Sequence, residues 1–566
     1  MSEAASPPAG RRLRRFWIVL SIGLLVQGGL GLDAARRWTP THDEYWHLPY
    51  GLYYWQTGNL EADPINPPLV RLWASVPLWF STVRLNLDGA EPTPYAVGDA
   101  FLRAAGPHYR GLFFQGRLMM LWWGLAGLVV AALWARAWFG EAAGMAAVVL
   151  WAGCPTLLSQ AVVVTHDLPL AVATLAALAA LARWAQRPTW GRAVMCGAWL
   201  GLAQLTKLTA VLLYPLSMVL WFVLPREAAP PPRRQSLAMW VVAGVVSWSV
   251  LCAGYGFQGV GRADGSEPAG DGFARRLLPK AYRMAWRRLA NDLENVHPVF
   301  LNGEWRRGGF PLYYVYALGY KLPLGTLAAG VLSLGALCRR NATAATRRRI
   351  AAMVLAFLAF VVPASVSTNQ IGVRYILPAY PCLLLWATHV TAWFDGRSLW
   401  RHKGGLVLLL ASVPWALRYH PHHLAYFNEW AGGPVGGRQH VVDSNLDWGQ
   451  DLYALAAELP GRTGGEPVSV AYFGSVPPTS AGLCGGPPTP FVPTPGWHAV
   501  SVNFVQGRPH TLRLPDGTFH RLDLDVYGYF RFFEPVARIG YSIDVYRLTP
   551  EDVARFYAAK AAVAEP

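Results

Sequence analysis

The sequence predicts a polytopic α-helical membrane protein with a C-terminal α/β domain on the outer face of the membrane. Of its 566 residues, 53% are hydrophobic and only 14% are charged, which is typical of membrane proteins rather than soluble domains. Apolar runs long enough to cross the hydrocarbon recur throughout residues 1–419. After residue 420 the pattern changes to short apolar runs between turns, which indicates strands.

The first apolar run, 16–32, follows a cluster of four arginines. A secretory signal peptide is one interpretation, but the run has no obvious small-residue cleavage site, and many apolar runs follow it. We therefore expect an uncleaved first helix with a cytoplasmic N-terminus. About ten further spans, for a total of about 11, are predicted near residues 112–137, 143–162, 168–185, 193–206, 208–224, 237–256, 312–337, 350–367, 374–394 and 404–418.

The basic residues of the connecting loops predict which side of the membrane each loop occupies. With the N-terminus inside, alternate loops hold nearly every tight basic cluster, as the positive-inside rule requires. This asymmetry explains the net charge of +16 without a nucleic-acid partner. The clusters comprise Arg136, Arg183, Arg187, Arg192, Arg226, Arg233, Arg234, Arg339, Arg340, Arg347–Arg349, Arg397, Arg401 and Lys403. The first long loop, about 33–111, and residues 420–566 then lie on the extracytoplasmic side of a plasma (inner) membrane.

The first outer loop begins with the polar segment Thr41-His42-Asp43-Glu44-Tyr45-Trp46-His47. Aromatic residues after it, at 47–55 and 69–80, predict short helices in the membrane interface, the second opened by Pro67-Pro68. Such helices would hold Asp43 and Glu44 at the membrane surface. Two interpretations remain: Asp43 caps the following helix, or the pair is a catalytic carboxylate site.

A second acid lies at another predicted helix start on the same face, in Thr165-His166-Asp167. An ionised carboxylate near the membrane boundary is costly unless it is paired, although a helix cap is again the alternative. Lys207, Lys321 and Arg374 also fall at helix ends on this face. Together they would surround a phosphate, or individually extend their charged ends to the interface.

The C-terminal region is predicted to form a small α/β domain. Strands are expected at 468–473, 498–502 and 541–546, and a helix at 452–459. The preceding segment 443–451 either contacts a substrate or only packs on the membrane domain; we expect packing, because Trp448 and the following helix suit a docked edge.

The order of these motifs resembles lipid-carrier-dependent glycosyltransferases of family 39. The motifs are Asp43-Glu44-x-x-His47, Asn66-Pro67-Pro68-Leu69, Thr165-His166-Asp167, Thr206-Lys207, Lys321-Leu322-Pro323 and Asn369–Tyr375, and the tail at Asn428–Pro434 and Asp443–Leu452 is similar to that of a bacterial subgroup. The family includes protein O-mannosyltransferases and aminoarabinose transferases, and it shares the GT-C membrane fold. One departure is Asn66, where the aminoarabinose transferases have a lysine.

The resemblance implies an inverting transfer of a sugar from a polyprenyl-phosphate donor to a hydroxyl acceptor on the outer face, the acceptor being a protein, lipid A or another glycan or lipid. Asp43 and Asp167 match the family's acids, and Asp43 is assigned as the general base. Glu44 is expected to assist catalysis. Substrate or phosphate binding is predicted for His47, Arg71, His166, Lys207, Lys321 and Arg374.

A divalent metal is compatible with this site but is not required by the residues. A transporter or flippase of a lipid-linked substrate is the main alternative. Transporters place ionisable residues near the bilayer midplane and show repeated halves, whereas the acids of this sequence gather at the outer ends of predicted helices and no internal repeat is evident. A non-catalytic assembly protein is a further alternative.

Overall fold

The computed structural model describes residues 9–261, 276–294, 296–338, 342–394 and 411–564. Arg339, Arg340, Arg397, Arg401, Lys403 and residues 404–410 of the predicted span 404–418 lie outside the described residues. The α-helices cover Ala9–Arg37, Glu44–Thr57, Leu69–Ala74, Val76–Trp79, Pro94–Ala105, Tyr109–Phe139, Glu141–Ala152, Pro155–Gln160, Asp167–Gln186, Trp190–Gln204, Leu213–Val223, Arg233–Gly254, Lys280–Glu294, Tyr313–Lys321, Leu324–Leu334, Ala344–Val366, Ala379–Ala387, Pro414–Arg418, Gly433–Gly437, Leu452–Thr463, Val502–Val505 and Pro550–Ala564.

Among the described residues, five helical segments are long and apolar enough to cross a membrane. They are Arg14–Arg37, Pro94–Phe139, Asp167–Gln186, Arg233–Gly254 and Ala344–Val366. A sixth is obtained if Tyr313–Lys321 and Leu324–Leu337, bent by 119°, form one span. The prediction of a polytopic helical membrane protein is confirmed.

The predicted number of about 11 spans exceeds the five or six that the described helices support, because several apolar runs are broken. The run at 143–162 is divided between Glu141–Ala152 and Pro155–Gln160. Proline has no N–H for the helical ladder, and Pro155 starts the second piece. The run at 374–394 likewise alternates α-helix with 3₁₀ turns.

The first long loop contains the predicted short helices, and their packing positions the site. Helix Glu44–Thr57 crosses helix Leu69–Ala74 at Gly51, where an added Cβ would lie 2.1 Å from the carbonyl oxygen of Arg71. Only glycine permits so close an approach. This contact brings the Arg71 side chain to His47, one turn before Gly51 on the first helix.

The strands are β1 (Pro298–Leu301), β2 (Glu304–Arg307), β3 (Val468–Ala471), β4 (Gly496–Ser501), β5 (His510–Arg513), β6 (Phe519–Leu522), β7 (Ala537–Ile539) and β8 (Ile543–Leu548). β1–β2 and β5–β6 are antiparallel pairs, and the remaining strands form one sheet in the order β3-β4-β8-β7, with only β3 and β4 parallel. Helix Leu452–Thr463 shares a buried apolar cluster with this sheet. The predicted strands and helix of the C-terminal α/β region are confirmed.

The first long loop and the C-terminal region are joined by hydrogen bonds. The backbone N–H of His42 donates to the carbonyl of Trp448 (2.8 Å), and that of Thr39 donates to Gln450 (2.9 Å). Arg513 on β5 makes two bonds to the Asp99 carboxylate, at 2.8 and 3.0 Å. The segment 443–451 therefore docks against the polar segment around Asp43, as expected.

Candidate active site

Asp43 precedes helix Glu44–Thr57, but its side chain makes no capping hydrogen bond. Its Oδ2 instead accepts a bond of 2.8 Å from Nη1 of Arg374, 331 residues away in the chain. Both side chains are largely buried, with 17% of Asp43 and 10% of Arg374 exposed. The carboxylate therefore binds a cation that is distant in the chain but close in space, and it does not cap the helix.

Asp167 lies next to this pair and contacts two cations. Its Oδ1 accepts a bond of 2.6 Å from Nζ of Lys207, and its Oδ2 is 3.7 Å from Nη1 of Arg374. The Asp167 side chain is only 2% exposed, so the two cations offset the cost of burying its charge. Arg374 thus lies between two acids, and Lys207 lies at the edge of the cluster.

Two cavities meet at this cluster. The helix cavity, about 530 Å³, is lined by His47, His166, Asp167 and Lys207 and by apolar residues including Leu208, Leu212, Phe360 and Pro363. The second cavity, about 790 Å³ and called the interdomain cavity below, lies against β1–β2 and the C-terminal region and is lined by residues including His42, Trp305, Asp443, Trp448 and Arg508. Asp43, Asn369 and Arg374 line both cavities. The acid and its cation are therefore accessible from two sides.

Glu44, the neighbour of Asp43, lines neither cavity and is fully buried. Arg117 binds both its oxygens, at 2.9 and 2.7 Å. The remaining bonds come from the backbone N–H groups of Thr41 (2.9 Å) and Val164 (3.0 Å). Each oxygen accepts two bonds, so this carboxylate joins three parts of the chain and is not directed at either cavity.

Arg71 is also fully buried and lines neither cavity. All five of its N–H groups are used, on the ring of His47, the hydroxyl of Tyr54, and the carbonyl and carboxylate of Asp63. No donor is left for a phosphate, and the contact of Arg71 with the site passes through His47.

Lys321 occupies a third buried position away from the cavities. Its Nζ donates to the carbonyl oxygens of Leu424 (2.8 Å) and Asn445 (2.6 Å) and lies 4.4 Å from the ring centre of Phe427. Of the predicted site residues, the structure brings together Asp43, Asp167, His47, His166, Lys207 and Arg374. It leaves Glu44, Arg71 and Lys321 outside.

Sequence reasoning missed several residues of the site and its support. Trp448 stacks on the guanidinium of Arg374, whose Cζ lies 4.3 Å from the ring centre of Trp448. Asp443 pairs with Arg508 in the interdomain cavity. Arg117 and Asp63, the partners of Glu44 and Arg71, were missed as well. Arg117 had a usable signal, since it is an arginine within a long apolar run and such residues are rarely unpaired.

Among the described residues, no group of three or more His, Cys, Asp or Glu side chains is placed to hold a metal ion. Asp43 and Asp167 share the guanidinium of Arg374 instead.

Residues 111–251 match the family model described as dolichyl-phosphate-mannose-protein mannosyltransferase. No curated protein matches the chain. Among solved structures, ArnT from Cupriavidus metallidurans is similar both in the apo state (14% identity, 94% of this chain, 97% of that chain, TM-score 0.46) and bound to undecaprenyl phosphate (16%, 82%, 74%, 0.46).

The archaeal oligosaccharyltransferase AglB from Archaeoglobus fulgidus, in complex with an inhibitory peptide and a dolichol-phosphate, is 12% identical over 93% of this chain and 75% of that chain, also with a TM-score of 0.46. Similarity at this level does not transfer residue roles to this chain. The family-model match begins in helix Tyr109–Phe139 and ends in helix Arg233–Gly254, and it includes Asp167 and Lys207. This match covers about a quarter of the chain, and it agrees with the resemblance of the chain's motifs to lipid-carrier-dependent glycosyltransferases.

Proposed function

We propose that this protein transfers a sugar from a polyprenyl-phosphate donor to a hydroxyl acceptor at the extracytoplasmic face of the plasma membrane. The observation that carries the proposal is the Asp43–Arg374 pair, which lines both cavities. A donor in one cavity and an acceptor in the other would meet at this carboxylate. The predicted sidedness of the basic loops supports the extracytoplasmic location.

Asp43 is the proposed general base. Its Oδ2 is held by Arg374, which leaves Oδ1 to accept the proton of the acceptor hydroxyl. The acceptor oxygen then bonds to the anomeric carbon, the bond from that carbon to the phosphate oxygen breaks, and its electron pair leaves with the polyprenyl phosphate. A single displacement of this kind inverts the configuration of the anomeric carbon.

Lys207 and Arg374 are the proposed ligands of the departing phosphate. Both line the helix cavity, whose apolar residues suit a lipid chain. Cations fixed in advance in a site of low dielectric stabilise the negative charge that develops on the leaving group. Asp167 contacts both cations, so its proposed role is to position them.

The interdomain cavity is the proposed acceptor site. Its walls combine aromatic rings, including Trp305, Trp448 and Phe473, with Arg508 and His42, a mixture that suits hydroxylated and polar ligands. We propose residues 1–419 as the membrane domain and residues 420–566 as the domain that completes this cavity. The acceptor would enter between them.

The test is Asp43→Asn, which keeps the shape of the side chain and removes its basicity. The purified variant is incubated with polyprenyl-phosphate sugars and hydroxyl acceptors, and released polyprenyl phosphate and glycosylated product are measured. We expect kcat to fall by about 10²–10⁴-fold while donor binding and thermal stability are retained.

Asp88→Asn is the matched control, since Asp88 is an exposed aspartate of the same loop and should behave as wild type. Activity of Asp43→Asn within tenfold of wild type would overturn the assignment of the base. Lipid movement across vesicles without turnover of any donor would instead identify a transporter.

A further inference from the structure

Two histidine rings meet edge to face at the helix cavity. His47, on helix Glu44–Thr57, and His166, which precedes helix Asp167–Gln186, have ring centres 4.8 Å apart and planes at 84°. Both line the cavity, and their residues are only 5% and 3% exposed. The role of these rings depends on which ring nitrogens carry protons.

The hydrogen bonds of Arg71 determine the protonation of His47. Nε and Nη2 of Arg71 both lie at Nδ1 of His47, at 3.2 and 2.9 Å. A guanidinium only donates, so Nδ1 of His47 carries the lone pair and the ring proton is on Nε2. Burial, together with the charge of Arg71, lowers the pKa of His47 well below its usual range, and the ring is neutral.

His166 has the opposite arrangement. Its Nδ1 lies 3.1 Å from the carbonyl oxygen of Thr206, and a carbonyl only accepts, so the proton is on Nδ1. Its Nε2 therefore carries a lone pair, and this buried atom has no hydrogen-bond partner among the described residues. Burial lowers the pKa of His166 well below its usual range, and the charges of Arg71 and Lys207 add to this effect.

The pair thus offers one donor, Nε2–H of His47, and one acceptor, Nε2 of His166. A hydroxyl group both accepts and donates, and so it satisfies both rings. An ionised phosphate only accepts and would leave Nε2 of His166 unsatisfied. Neutral rings also supply no charge to a phosphate, whereas Lys207 and Arg374 in the same cavity do.

We propose that His47 and His166 together bind one hydroxyl group of the donor sugar and so determine which sugar is transferred. The proposal rests on the proposed function and narrows the predicted role of both residues from substrate or phosphate binding to recognition of the sugar. The chain places the two subsites side by side. His166 is followed by Asp167 and Thr206 by Lys207, so the backbone that fixes the His166 tautomer also carries the phosphate ligand Lys207 and the carboxylate that positions it.

The variants are His47→Asn and His166→Asn. The short amide group of asparagine reaches the position of Nδ1 but not that of Nε2. At position 47 its oxygen still accepts from Arg71, and at position 166 its NH₂ still donates to Thr206. Each variant therefore removes only the group that faces the sugar. His108→Ala, at an exposed histidine of the first long loop, is the matched control.

The experiment compares the productive polyprenyl-phosphate sugar with analogues that each lack one ring hydroxyl. Wild type should lose about 10- to 100-fold in kcat/KM with one of these analogues. Each Asn variant should show a similar loss with the complete sugar and little further loss with that same analogue. Polyprenyl phosphate without a sugar should bind equally well to wild type, both variants and the control.

Weaker binding of unglycosylated polyprenyl phosphate by the Asn variants would overturn the proposal, because it would assign the rings to the phosphate. The proposal would also be overturned if, for every analogue, the loss in kcat/KM caused by the Asn variant and the loss caused by the missing hydroxyl were fully additive. If wild type turns over no donor, the proposed function fails. The sugar contact is then still measured as the difference in binding between polyprenyl phosphate and its glycosylated forms, which the two variants should abolish.

Discussion

Replacing Glu44 with glutamine should destabilise the fold rather than disable the chemistry. The carboxylate accepts four hydrogen bonds, two from Arg117 and two from backbone N–H groups, at 2.7–3.0 Å. Its side chain is 0% exposed and that of Arg117 is 1% exposed. Glutamine removes the negative charge and turns one acceptor atom into a donor that faces other donors.

The expected magnitude follows from the burial of this pair. Removing one partner of a buried ion pair costs about 3–5 kcal/mol, because the remaining charge is left uncompensated. We therefore expect Glu44→Gln to lower the Tm of the purified protein by several degrees. The kcat of the remaining folded enzyme should stay within about tenfold of wild type. Combining Glu44→Gln with Arg117→Met should cost less than the sum of the two single changes.

The assay pairs thermal unfolding in detergent with turnover normalised to folded protein. Glu91→Gln, at an exposed glutamate of the same loop, is the control and should change neither quantity. An unchanged Tm together with a kcat reduced 100-fold or more would refute the reasoning and restore Glu44 to the catalytic group.

Two further predictions concern charged residues elsewhere. Lys207→Met should raise the KM for the donor by about 10-fold or more. Lys321→Met should lower the Tm and leave that KM unchanged, because Nζ of Lys321 binds two backbone carbonyls. Equal effects of the two variants on the KM for the donor would contradict this prediction. Burial raises the pKa of Asp447 from 3.8 to about 7, against the opposing effect of hydrogen bonds from Ser501 and Gly449. A carboxyl group whose pKa rises on folding stabilises the fold at low pH, and that contribution is lost as pH rises from about 4 through about 7. The Tm of Asp447→Asn minus that of wild type should therefore increase between pH 5 and pH 8, and a constant difference would show that Asp447 does not titrate in this way.

Much of the architecture follows from local patterns. Long apolar runs predict the spanning helices, because a helix buried in hydrocarbon satisfies its own backbone, and the predicted strands after residue 420 are present. The number of spans does not follow from composition, because a break such as the one before Pro155 leaves the average hydrophobicity of a run almost unchanged.

The residues of the candidate site were predicted from the sequence less consistently than the architecture. Asp43, Asp167, Lys207 and Arg374 were predicted as a group because each is a charged residue next to an apolar helix, where an unpaired charge is costly. Lys321 has the same signal in the sequence, but its ammonium group is held by carbonyls 103 and 124 residues away.

The sequence by itself determined the class of protein and the acids and cations near the membrane boundary, and it showed a resemblance to one family in the order of its motifs. Only the tertiary structure decided which charged groups are fully paired within the protein and which line a cavity. Glu44 and Asp43 are adjacent in the chain, yet Glu44 binds only Arg117 and two backbone N–H groups, whereas Asp43 lines both cavities with Arg374. The reason is physical: a buried charge must be compensated, and the compensating groups come from segments whose proximity is set by packing rather than by the local sequence.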